Sequence, residues 1–262
     1  CSPTYAALLA DLSAAVPNTM IVTMPAIVCD NAAIANQSVL GVNGEIVPDL
    51  SKASVILSVD ADFLGTDKLA LHHTGRFAAR RTPSAANATM SDLTVAEAQY
   101  SLTGMNADHR VRLHPSQLEA FLGAVEREIA GGSAIGGDLA SAATPETSKA
   151  ATEAAAHLKT APAGEAVVLA GRHLSPRAQA VALNISAALG AVGAGKTIDA
   201  ANVLPNSQAK SAEIDALRNE MSAGNVHVAL FCDVNPEYTS DRAFRTALAK
   251  VPVRAAINLY ED

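Results

Sequence analysis

The sequence predicts an α/β protein of two doubly wound parallel-sheet (Rossmann-like) lobes, on three observations. Short β-branched runs bounded by turn residues alternate with Ala- and Leu-rich stretches of helical spacing. The alternation recurs in both halves of the chain, and a stretch rich in Gly, Ala and Ser lies between them. Strands buried on both faces of a parallel sheet read as continuous apolar runs, as Val55–Val59 and Ala166–Ala170 do.

In chain order, Ser2-Pro3 reads as a cap followed by proline at the first helical position, and a helix is expected from Tyr5 to Val16. Strands are expected at Met20–Thr23 and Val55–Val59, with a helix at Asn31–Leu40 between them. The polar turn after Val59 carries Asp60, Asp62 and Gly65 and leads into a helix around Lys68 to Ala79. A short strand near Leu93–Ala96, a polar loop from Gln99 to Asp108 and a helix from Ser116 to Ala130 follow. The division expected is a first lobe at 1–130, an exposed linker at 131–145 and a second lobe at 146–262. In the second lobe strands are expected at Ala166–Ala170, Val226–Cys232 and Val253–Leu259, and helices at Ser175–Leu189, Ser211–Ala223 and Asp241–Lys250.

Composition excludes several classes of function. Apolar residues make up 49% and charged residues 17%, a globular balance, and the longest apolar stretches are interrupted well short of a membrane span. The segment is therefore expected to be soluble, without direct membrane insertion. A formal net charge of -7, with no Lys/Arg cluster larger than Arg80-Arg81, argues against a nucleic-acid partner. Cys1, Cys29 and Cys232 are too few and too far apart for a zinc or iron-sulfur ligand set and read as buried thiols. The chain starts at Cys1 with neither an initiator Met nor a signal peptide, so it reads as a piece of something longer.

Three motifs look like chemistry. Gly190 to Thr197 (GAVGAGKT) satisfies the phosphate-loop pattern letter for letter. A working loop of that kind follows a strand and opens a helix, whereas here Arg177–Leu189 reads as a helix ending at Gly190, whose carbonyl end repels phosphate. The match is therefore expected to be a helix-terminating Gly loop rather than a nucleotide site. The second candidate is the pair of strand ends, Asp60 and Asp62 in the first half and Asp233, Asn235 and Pro236 in the second, where open α/β sheets bind ligands. These residue types are also turn formers, and each carboxylate would oppose a pyrophosphate by roughly a few kcal/mol at about 4 Å. The third is histidine. His72-His73 would diverge by about 100° on a helix and reads as a surface pair, and His109, beside Asp108 and Arg110, reads as an acid-base relay or a salt-bridged loop.

With these segments placed, Ala53–Thr66 (ASVILSVDADFLGT), Ser101–Arg110 (SLTGMNADHR) and Pro115-Ser116 resemble one family closely. They are similar to the molybdopterin-oxidoreductase-like region of the large iron-sulfur subunit of bacterial alternative complex III. Val167–Arg172, Leu183–Gly193, Asp233–Thr239 and Leu259–Asp262 follow the order seen across molybdopterin oxidoreductases, and the family's helix ends in the Gly turn where the GKT happens to follow. The resemblance implies a cofactor-free molybdopterin-oxidoreductase-type scaffold within a quinol-oxidising complex, with no catalytic residue and no metal ligand in this segment. Asp60, Asp62, Gly65, Asp233, Asn235 and Pro236 would then line a vestigial crevice. Iron-sulfur clusters are implied in a ferredoxin-like region of the same subunit outside this segment. Cytochrome c and integral-membrane quinol-binding subunits are the implied partners, on the outer (periplasmic) face of the bacterial inner membrane. The rival expectation is an active molybdopterin-dependent oxidoreductase whose metal ligand lies outside the segment.

Overall fold

The computed structural model describes residues 3–25, 30–83, 89–204 and 210–259. Its elements run α1 (Pro3–Ala15), α2 (Asn31–Leu40), β1 (Val55–Val59), α3 (Ala70–Arg81), β2 (Asp92–Glu97), α4 (Leu102–Met105), β3 (His109–Arg112), α5 (Leu118–Ala130), α6 (Pro145–Leu158), β4 (Ala166–Ala170), α7 (Pro176–Ala188), α8 (Ser211–Ala223), β5 (Val228–Cys232), α9 (Pro236–Thr239), α10 (Arg242–Leu248) and β6 (Val253–Ile257). They gather into two compact units, one of residues 29–208 and the other of 1–28 with 209–262.

The larger unit is built on a four-stranded sheet of order β3-β2-β1-β4. All its pairings are parallel, with Val55 opposite both Asp92 and Ala166, and Thr94 opposite His109. β1 is buried along its whole length. Because side chains alternate across a strand, Val55, Leu57 and Val59 enter one core with Leu118, Phe121 and Leu122 of α5 and Ala151, Ala155 and Leu158 of α6. Ile56 enters the other, with Phe77 of α3, Leu183 of α7 and Leu50. Helices therefore cover both faces. Serine and threonine caps followed by proline start two of them: Ser175 Oγ accepts from Ala178 N at 3.2 Å, and Thr144 Oγ1 from Thr147 N at 3.2 Å.

The smaller unit pairs β5 with β6 in parallel. Met221, Phe244, Ala247, Leu248 and Val251 form its core, with Met24, Leu217 and Phe231 packed against them. Val228, Leu230, Val253 and Ile257 are exposed. Their register places them on one face, opposite the one that carries Ala229 and Phe231 into the core. Among the described residues no helix is long and apolar enough to cross a membrane.

The expected division at 131–145 is corrected by the sheet itself, since β4 pairs directly with β1 and lies in the same unit as the first half. The segment is mostly exposed, as expected, but it does not join two lobes. It folds into two short 3-10 turns, Gly131–Ser133 and Leu139–Ala142, held by the fully buried Glu126. That carboxyl group accepts from Ile135 N at 2.9 Å, Gly136 N at 2.7 Å and Asn184 Nδ2 at 2.7 Å. Gly123 lets the second turn approach, because a Cβ there would lie 2.6 Å from Ala140 N. Met20–Thr23 is not a strand: it has no ladder partner among the described residues, and Met20 and Ile21 stay exposed. α6 and the edge strand β3 lie where no element was expected. Cys1, Cys29 and Tyr260–Asp262 lie outside the described residues, and Cys232 is half-buried with a free thiol.

Glu126→Ala takes the acceptor from the Ile135 and Gly136 amides, at about 1–3 kcal/mol for the buried Gly136 donor. The variant should unfold at lower denaturant than the parent and be cleaved faster by protease within 131–137; unchanged stability would show that the carboxyl does not hold this segment.

Candidate functional site

In an order of 3-2-1-4 the connections reverse direction between β1 and β4, and ligands of doubly wound sheets settle beyond the carboxyl ends of the strands at such a point. A cavity of about 130 Å³ lies there, lined by Asn36, Phe63, His73, Gln179, Leu183 and Ile198 among others. Ligand pockets for drug-sized molecules usually run to about 300–1,000 Å³.

Glu45 and Asp67 line this cavity, and Asp60 and Asp62 lie in the loop after β1 whose Ala61 and Phe63 line it. Asp60, the residue after β1, has a positive φ of 51°. Its amide donates to Ala96 O at 2.8 Å, its Oδ1 accepts from Ala98 N at 3.3 Å, and its Oδ2 lies 3.1 Å from His173 Nε2. Gly171 permits this contact between the two strand ends, since a Cβ there would stand 2.4 Å from Asp60 O. Asp62 closes the following turn, accepting from Thr103 N at 3.0 Å, Thr103 Oγ1 at 2.8 Å and Thr66 N at 2.9 Å. Burial pushes the Asp62 carboxyl up, but the hydrogen bonds from Thr103 and Thr66 together outweigh it and hold the group below the usual carboxylate range. Gly65 is fixed by the same turn, because a Cβ would fall 2.2 Å from Asp62 Oδ2. Glu45 bridges Lys68 and Arg172, with 2.6 Å to Arg172 Nη1.

His73 faces the cavity from α3 and, against the expectation of a surface pair, is buried, while His72 is exposed. Its Nε2 is 3.8 Å from Asp67 Oδ1, and its Nδ1 is buried without a hydrogen-bond partner. Burial lowers its pKa, against the opposing pull of Asp67, so the ring is neutral at pH 7.

The strand end of the smaller unit is a turn of the same design. Asp233 has a positive φ of 53°, Asn235 Oδ1 caps α9 by accepting from Tyr238 N at 3.0 Å, and Pro236 is the buried first residue of that helix. Asp60, Asp62 and Gly65 are thus brought together in one loop, and Asp233, Asn235 and Pro236 in another, in a different unit.

The GKT segment follows a helix, and no helix begins in residues 198–204 after it. α7 ends at Ala188, Gly190 takes a φ of 77°, and Thr197 is buried with its Oγ1 donating to Gly164 O at 3.2 Å. Gly195 N donates to Asp199 Oδ2 at 2.6 Å and Gly195 O accepts from Lys52 Nζ at 2.8 Å. The segment also lies beside Gly164 and Glu165, which precede β4, at the sheet edge opposite to the crevice.

Sequence reasoning missed the fully buried Glu97 at the end of β2. It accepts from Ser101 Oγ at 2.6 Å and Arg110 Nε at 2.6 Å, and the Arg110 guanidinium lies 4.5 Å from the Tyr100 ring centroid. Asp108 instead binds Arg81 through both oxygens, at 2.6 and 2.9 Å, so neither sequence neighbour of His109 forms a relay with it. Those distant pairings leave no local spacing signal.

The larger unit is thus a Rossmann-like α/β protein whose switch-point crevice is small and rimmed by its own ion pairs. The sequence matches no protein-family model and no curated protein.

Because the folded pKa of His73 lies below its unfolded value, the group contributes stability that is complete above the unfolded pKa. That stability is lost as pH falls through the ordinary imidazole range toward the lower folded value. His73→Phe should flatten this part of the curve, measured by denaturant unfolding between about pH 8 and 5; equal slopes for the two proteins would contradict it.

Proposed function

We propose that the chain is a cofactor-free scaffold and subunit-interaction module of a quinol-oxidising respiratory complex of the alternative complex III type, with the architecture of molybdopterin oxidoreductases. One observation carries the cofactor-free part. In the loop after β1, where a dinucleotide-binding protein offers glycines and free backbone N–H groups, this chain places Asp60, Asp62 and Asp67, and Asp62 already accepts the Thr66 and Thr103 amides. A pyrophosphate entering the cavity of about 130 Å³ meets the carboxylates of Glu45 and Asp67 on its lining, and the lining's Arg172 is already paired with Glu45. The motifs of Ala53–Thr66 and Ser101–Arg110 support the choice of complex. In that setting the segment shapes one side of the electron-transfer subunit, on the outer face of the bacterial inner membrane. Iron-sulfur clusters reside in the subunit's ferredoxin-like region, and cytochrome c and integral-membrane quinol-binding subunits are its neighbours.

Elemental analysis of the intact complex, with extraction of any pterin, tests this proposal. Molybdenum and pterin should both fall far below one per complex; stoichiometric amounts of both would replace the scaffold with an active molybdenum enzyme. Calorimetric titration with ATP should give no saturable heat, and Lys196→Ala should change nothing. Saturable binding abolished by that substitution would restore the GKT segment as a nucleotide site.

A further inference from the structure

Asp92, His109 and His157 are far apart in the sequence and meet at the amino edge of the sheet. Asp92 and His109 are the first residues of the adjacent strands β2 and β3, and His157 stands in the last turn of α6. From this juxtaposition we infer that the three side chains form a binding site for one first-row divalent transition-metal ion, with zinc the closest chemical fit.

The geometry converges on a single point. His157 Nε2 is 3.4 Å and His109 Nε2 3.7 Å from the same oxygen, Asp92 Oδ2, and the three ligand atoms lie within 4.8 Å of one another. Ligands about 2.0–2.1 Å from a tetrahedral ion stand about 3.3 Å apart, close to both His–Asp separations. Neither His–Asp contact is a hydrogen bond.

Two further features point to a cation rather than to a solvated ion pair. Asp92 Oδ1 is buried and has no hydrogen-bond partner, and a lone buried carboxylate oxygen is costly unless a positive charge lies beside its group. His157 Nδ1 is 3.2 Å from Oγ1 of the buried Thr94, the kind of outer contact that fixes a ligating ring and leaves its Nε2 lone pair for the metal. The two imidazoles stand edge to face, with centroids 5.1 Å apart. The nearby Arg81 guanidinium is already paired with both oxygens of Asp108. Two imidazole nitrogens and one carboxylate oxygen suit zinc, cobalt or nickel better than calcium or magnesium. Three protein ligands leave a fourth position for water or an outside ligand, and half-exposed His109 gives access to it. The inference is independent of the scaffold proposal, because molybdenum and pterin content says nothing about this edge of the sheet.

The experiment is calorimetric titration of the chelator-stripped chain with Zn²⁺, paralleled by Co²⁺ titration followed through its visible absorption. One equivalent should bind, with cobalt bands of tetrahedral intensity. Asp92→Asn, His109→Ala and His157→Ala should each weaken binding at least about 100-fold, and Thr94→Val about 10–100-fold. His114→Ala should leave binding unchanged, and circular dichroism should show each variant folded. His109 lies at an exposed edge, so its substitution reports on the metal even if His157→Ala fails to fold. Absence of saturable binding, or binding of equal strength in His109→Ala, overturns the site.

Discussion

Burial of β1 on both faces is the constraint from which the larger unit follows. Each of Ile56, Leu57 and Val59 is almost wholly removed from water, which stabilises the fold by about 1.5–3 kcal/mol per side chain. That is possible only if helices cover both sides of the sheet. Parallel pairing then obliges every connection to cross back over a face, so all carboxyl ends of the strands share one edge. The reversal between β1 and β4 puts the cavity at that edge, and the GKT turn, beside the residues that precede β4, lies at the other.

The same electrostatic device disarms both places where an anion would be expected. In the crevice loop Asp62 takes the Thr66 and Thr103 amides, and in the GKT loop Asp199 takes the Ala201 and Gly195 amides. In each loop the hydrogen bonds hold the carboxyl below its ordinary pKa. Each loop supplies its own anion, and an incoming phosphate would have to displace a carboxylate that is covalently part of the turn. The converse holds at the amino edge, where Asp92 has a buried oxygen without a donor and two imidazoles beside it.

Much of the fold was legible because apolar runs and capping signals are local. Val55–Val59, Ala166–Ala170, Asn31–Leu40 and Ser211–Ala223 fall where periodicity puts them. β3 was not legible: its residues His109, Arg110 and Arg112 are polar and mostly exposed, as an edge strand tolerates, and its identity rests on pairing with β2. α6 does carry a signal, Thr144-Pro145 followed by Ala151, Ala154, Ala155 and Leu158 at helical spacing, masked by the Gly-rich stretch before it. The lobe division failed because Gly131–Pro145 has the composition of a linker, whereas its anchor, Glu126, lies in the preceding helix. Of the candidate site, Asp60, Asp62 and Gly65 were legible as strand-end turn residues. The burial of His73, the Glu97–Arg110 pair and the meeting of Asp92 with His157 depend on tertiary packing and have no sequence spacing to betray them.

The smaller unit takes its core from both sides of the larger one in the chain, Met24 packing with Met221, Phe244 and Val251. Residues 29–208 are therefore an insertion within it. During synthesis on the ribosome the inserted unit is complete while residues 209–262 of its host have yet to emerge, so vectorial folding favours inner before outer. Order of emergence and order of assembly thus run in opposite directions for residues 3–25, which emerge before the insert and find their partners after it.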